Sequence, residues 1–121
     1  MSTILPIAVV DDDSSVREAI VALLRSHGHA AMGFASAAEF IRAYEFHKFA
    51  CLLSDIDMPR MCGTELVRWL RDRDGTLPVI LMTAQADDRL TEDLPDITAV
   101  LRKPFPCEDL AKILRALLAA E

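Results

Sequence analysis

The stretch ILPIAVVDDDSSVREAIVALLRSHG, residues 4–28, changes its period half-way along. Ile4 to Val10 is an apolar run of strand length, the pattern of a strand buried on both faces. From about Ser14 to His27 the residues Val16, Ile20, Leu23 and Leu24 recur on one helical face, and Gly28 closes the end. This is a strand–helix unit with three aspartates, Asp11 to Asp13, at its turn. Neighbouring like charges repel, so this run must be solvated or neutralised. A solvated loop with an acid capping the helix accounts for the run taken alone, and Asp13 or Ser14 is the expected cap.

The same alternation continues along the chain. Ala30 to Phe34 precedes a helix opened by Ser36 and Glu39, an S-x-x-E capping box ahead of Phe40 and Ile41. Ala50 to Ser54 precedes a helix near Thr64 to Arg73, ended by Asp74-Gly75. Pro78 to Met82 precedes a weak helix around Asp88 to Leu94. Ala99 to Arg102 precedes a helix from about Glu108 to Ala120, whose buried stripe is Leu110, Ile113, Leu114 and Leu117. Five strand–helix units predict an α/β fold around a parallel sheet.

Composition narrows the class. At 121 residues, with 52% hydrophobic and 26% charged residues, the chain is sized for one domain that fills residues 1–121. Cys51, Cys62 and Cys107 are odd in number and far apart, without the spacing of a disulfide framework or zinc site, and are read as reduced. With no leader pattern or apolar run of membrane length, a soluble, cytoplasmic protein is expected. The net charge is −6, and the 13 basic residues form no stripe along which a phosphate backbone could lie. This piece by itself is not expected to bind nucleic acid.

Doubly wound sheets bind ligands beyond the carboxyl ends of their strands. The residues there are Asp11 and Asp12 after the first strand, Asp55 after the third, Thr83 after the fourth and Lys103 after the fifth. Three carboxylates, a hydroxyl and an ammonium group on one rim meet the needs of phosphoryl transfer to a carboxylate. An aspartate can be the nucleophile, provided that its charge and that of the phosphoryl oxygens are neutralised. Mg²⁺ does this with oxygen ligands, while a lysine and a hydroxyl contact the transferred group. Under this reading Asp11 and Asp12 are metal ligands and Asp13 caps the helix.

These residues resemble the receiver domain of bacterial two-component response regulators, with local wording closest to FixJ-like members. The resemblance covers essentially the whole chain and rests on VVDDD at 9–13, LLSDIDMPRMCGTEL at 52–66, LPVILMTA at 77–84 and RKPF at 102–105. It implies a flavodoxin-like, doubly wound five-stranded parallel sheet of order 2-1-3-4-5, with helices on both faces. It implies Asp55 as phosphoacceptor and Thr83 and Lys103 as contacts of the phosphoryl group. Mg²⁺ would be held by Asp12, Asp55 and the backbone carbonyl of Asp57, with Asp11 acting through water. It further implies a cis Lys103-Pro104 peptide, a sensor histidine kinase as phosphoryl donor and a receiver homodimer as an available assembly. DNA would be reached only through an output domain outside this sequence; a stand-alone regulator and the receiver half of a transcription factor both remain open.

The chain departs from the family at two places. Receivers usually carry an aromatic residue three positions before the lysine; here it is Val100, whose β-branched side chain has no ring to swing. The stretch from Thr83 to Lys103 is about two residues shorter than the family pattern and lacks its usual Gly-Ala. The fourth helix is therefore expected to be short or distorted, with Pro95 breaking it. Five acids, Asp87, Asp88, Glu92, Asp93 and Asp96, against Arg89 leave this stretch at −4.

Plainer readings hold for the rest. Met58, Met61 and Met82 are expected to pack, Tyr44 and Trp69 to cover helix edges, and the Asp57 side chain to border the pocket. His27, His29 and His47 have no metal spacing. Asp55-x-Asp57 also resembles the D-x-D of haloacid-dehalogenase phosphatases, but those normally carry it on the first strand of a longer chain. A flavodoxin-like cofactor module would want a phosphate loop where three carboxylates stand.

Overall fold

The computed structural model describes residues 5–84, 97 and 99–119. Its strands are β1 (Ile7–Val10), β2 (Ala31–Phe34), β3 (Cys51–Asp55), β4 (Val79–Thr83) and β5 (Ala99–Arg102). All pair in parallel, in the order β2-β1-β3-β4-β5. Every residue of β1, β3 and β4 is buried, as an apolar strand covered on both faces must be.

Side chains alternate across the sheet and so feed two cores. On one face Ala8, Val10, Leu52, Val79 and Leu81 meet Phe40 of α2 (Ala37–Tyr44) and Leu66, Val67 and Leu70 of α3 (Gly63–Arg71). On the other, Ile7, Val9, Leu53, Ile80 and Met82 meet Ile20, Val21 and Leu24 of α1 (Ser14–Ser26) and Leu110 and Leu114 of α4 (Cys107–Ala119). Burying each such large apolar side chain contributes roughly 1.5–3 kcal/mol. Met58 and Met82 are buried in these cores, and Met61 packs against one; Tyr44 and Trp69 meet edge to face at 5.4 Å.

Element ends follow local chemistry. Asp13 is the N-cap of α1, its Oδ1 accepting from the N–H groups of Ser15 and Val16. Gly28, at φ +88°, turns the chain after that helix. Ser36 caps α2 through the Glu39 N–H, but Glu39 reaches back to the N–H of Ala35 rather than of Ser36. The third helix ends at Arg71, not Arg73, because the Asp74 carboxylate folds the chain into a turn by accepting from the N–H and hydroxyl of Thr76. Leu5 and Pro6 precede β1, so the first strand is shorter than its apolar run. The expected helix at Asp88 to Leu94, with Pro95 and the acids around it, lies outside the described residues, as does Ile4.

Candidate functional site

The order of the strands across the sheet reverses at β1, since β2 lies on one side of it and β3 on the other, all parallel. The crevice at that switch point is where Asp11 and Asp12 leave β1 and Asp55 ends β3. One carboxylate oxygen from each of these three acids lies within 4.8 Å of the others. Asp11, Asp55 and Thr83 are buried, whereas Asp12 is exposed.

Lys103 answers the charge. Its Nζ donates to Asp11 Oδ2 at 2.8 Å and lies 3.5 Å from Asp55 Oδ1. The ammonium is aimed by its backbone, because Lys103 N–H donates to the carbonyl of Thr83 at 2.7 Å, in register with the β4–β5 pairing. The following Lys103-Pro104 peptide is cis. Asp11 also accepts from the Asp13 N–H at 3.0 Å, so this fully buried carboxylate is paired on both oxygens, as a buried charge must be.

Burial raises the Asp55 pKa above the ordinary carboxylate range; Lys103 opposes the rise, and the Asp11 charge adds to it. The Lys103 pKa is also raised: burial alone would lower it, but the neighbouring carboxylates of Asp11 and Asp55 outweigh that cost. The Lys103 shift reflects one cation beside two acids, and the Asp55 shift reflects burial that this cation does not fully offset.

The third helix approaches this site closely. A Cβ built on Gly63 would lie 2.5 Å from the Asp55 carbonyl oxygen and 2.9 Å from Ile56 Cα, while the Gly63 N–H donates to Ile56 O at 2.9 Å. Only glycine fits between α3 and the backbone that carries Asp55. The sequence alone gives Gly63 no role, although it sits in the motif eight residues after Asp55. Asp57 is exposed, gives its N–H to Asp55 Oδ1 at 3.4 Å, and its carboxylate is outside the three-acid cluster. All three cysteines are free, and burial pushes the Cys51 thiol up to about 12. Val100 on β5 is 44% exposed.

Residues 7–115 match the family model described as "Response regulator receiver domain". The chain belongs to the response-regulator receiver family. It is 37% identical over 118 residues to the transcriptional regulatory protein FixJ of Azorhizobium caulinodans, covering 96% of this chain and 54% of that protein. This chain thus spans about half the length of that curated relative. Its fold is similar to the chemotaxis response regulator CheY4 of Vibrio cholerae, with TM-score 0.85, 26% identity and coverage of 95% and 99% of the two chains. It is also similar to full-length FixJ of B. japonicum, with TM-score 0.86 and 28% identity, over 98% of this chain and 59% of that one. Receivers are signalling domains rather than classical enzymes, and these matches give the phosphatase resemblance no support.

Proposed function

We propose that this receiver accepts a phosphoryl group on Asp55. The observation that carries the reading is the buried Asp55 at a strand end, in a cluster with Asp11 and Asp12 and 3.5 Å from the Lys103 ammonium. An Asp55 oxygen attacks phosphorus, and the bond from phosphorus to the donor's leaving atom breaks with its electron pair. Lys103 and the Thr83 hydroxyl then hold the new phosphoryl oxygens.

Three carboxylates with one shared ammonium suit a hard divalent cation. Asp12 and Asp55, with the Asp57 carbonyl, would hold Mg²⁺, and Asp11 would act through water. Bound Mg²⁺ supplies the positive charge that lets phosphate oxygens enter an acidic site. A sensor histidine kinase is the proposed donor, with Mg²⁺-dependent self-phosphorylation and self-dephosphorylation as the chain's own chemistry. We further read residues 1–121 as one receiver unit of a cytoplasmic protein, competent to pair with a second copy. DNA would be contacted only through an output domain beyond this sequence. Among the described residues, no helix is long and apolar enough to cross a membrane.

Incubation with Mg²⁺ and a small phosphodonor such as acetyl phosphate tests the assignment. Intact mass should rise by one hydroxylamine-sensitive phosphoryl group, and Asp55→Asn should abolish the gain. Equal labelling of that variant would sink the reading.

A further inference from the structure

Two members of the acidic cluster have partners for their side chains. The Asp11 carboxylate is held by the Asp13 N–H and by Lys103, and Asp55 accepts from the Asp57 N–H and faces Lys103. The exposed Asp12 carboxylate has no hydrogen bond or ion pair among the described residues. Its position therefore depends on the backbone that bears it rather than on a side-chain partner.

That backbone is gripped from both sides. The Asp11 N–H donates to the Phe34 carbonyl of β2 at 3.1 Å. The Asp11 carbonyl, which belongs to the peptide joining Asp11 to Asp12, accepts from Arg17 Nη1 at 2.8 Å. Arg17 lies in the first turn of α1, and its half-buried side chain reaches back six residues to make this bond.

The stem of Arg17 runs where β2 leaves room for it. A Cβ built on Gly33 would lie 3.2 Å from both Cγ and Cδ of Arg17, and 3.4 Å from Val21 Cγ2. Gly33 pairs with Val9, two residues before Asp11. A side chain on Gly33 would press on the arginine stem just where the guanidinium must reach the Asp11 carbonyl.

We propose that Arg17, seated beside Gly33, is a positioning residue of the acidic site, holding the Asp11–Asp12 peptide so that the Asp12 carboxylate faces the bound cation. This rests on the phosphoacceptor reading above. Without the guanidinium the carbonyl turns to water, the peptide gains freedom to rotate, and the Asp12 side chain moves with it. Groups that orient metal ligands without touching the metal typically change affinity about 10–100-fold when removed.

Mg²⁺ titration of the unphosphorylated protein, followed by amide chemical shifts, tests this directly. Arg17→Ala should bind Mg²⁺ about tenfold more weakly while remaining folded, and Arg17→Lys, which keeps a donor on a long stem, should recover part of the loss. Gly33→Ala should weaken binding in the parent but add nothing in the Arg17→Ala background, where no stem remains to be displaced. A residue with only a packing role would lower the melting temperature in EDTA and leave the affinity of the folded protein unchanged. Parental Mg²⁺ affinity in Arg17→Ala, or an equal Gly33→Ala penalty in both backgrounds, overturns the inference alone. If Arg17→Ala does not fold, Gly33→Ala decides: parental affinity with an intact fold is the overturning result. A parent that binds no Mg²⁺ overturns the phosphoacceptor reading and this inference with it.

Discussion

At the residue scale, Asp55 combines two demands that conflict. A nucleophile must keep its charge, yet burial and the nearby Asp11 make that charge costly. Its folded pKa lies above the unfolded value of about 3.9. The charged carboxylate therefore opposes folding above the folded pKa, and the penalty is gone below the unfolded one. In EDTA, Asp55→Asn should melt higher than the parent at neutral pH, and the difference should close as pH falls below about 4. Melting curves across pH check this; an equal gain at pH 3 and pH 7 would contradict it. The Asp11–Asp12–Asp55–Lys103 set was legible because each residue directly follows or ends an apolar strand. Arg17 and Gly33 were not, since an arginine on a helix and a glycine in a strand have nothing to link them until β2 is laid beside β1.

At the element scale, the N-terminal ends of α1 and α3 both serve the site. Asp13 gives its carboxylate to two orphan N–H groups of α1. Asp13→Ala should cost about 1 kcal/mol of stability, read from denaturant midpoints at constant slope. For α3 the decisive contact is Gly63 against the Asp55 and Ile56 backbone. Backbone cannot swing aside as a side chain can, so Gly63→Ala should cost about 1–3 kcal/mol and slow acetyl-phosphate labelling of Asp55. Parental stability and labelling in that variant would show that the approach is looser than described. The helix of residues 14–26 was readable almost to the residue because cap, apolar stripe and closing glycine agree. The helix at 63–71 ends two residues before the sequence pattern suggests, because an Asp-Gly pair reads alike after a helix end and inside a turn, and here Asp74 builds the turn.

At the scale of the whole molecule, the acidic crevice lies at the carboxyl ends of the strands, and a receiver must report its state to another surface. In the family pattern an aromatic residue carries the report; here Val100 stands exposed on β5 with no ring to move. The output is proposed to leave instead through residues 83–98, most of which lie outside the described residues. Hydrogen exchange with and without a phosphoryl mimic should then show altered protection across residues 83–98. Changes confined to Asp55 and its immediate neighbours would defeat the idea. The alternation of apolar runs with helical periods determined by itself the fold class, the motifs at 9–13, 52–66, 77–84 and 102–105 carried the family likeness, and the strand ends offered Asp11, Asp12, Asp55, Thr83 and Lys103 as candidate site residues. Those signals are local: each is an apolar run, a helical period or a short motif within one segment. Only the tertiary structure decided that Lys103 shares its charge between Asp11 and Asp55, that Asp57 keeps its carboxylate outside the cluster, and that Gly63 must lack a side chain. The first two are distances between strand ends, which exist only once parallel pairing has brought separate strands together, and the third is the close approach of α3 to the end of β3.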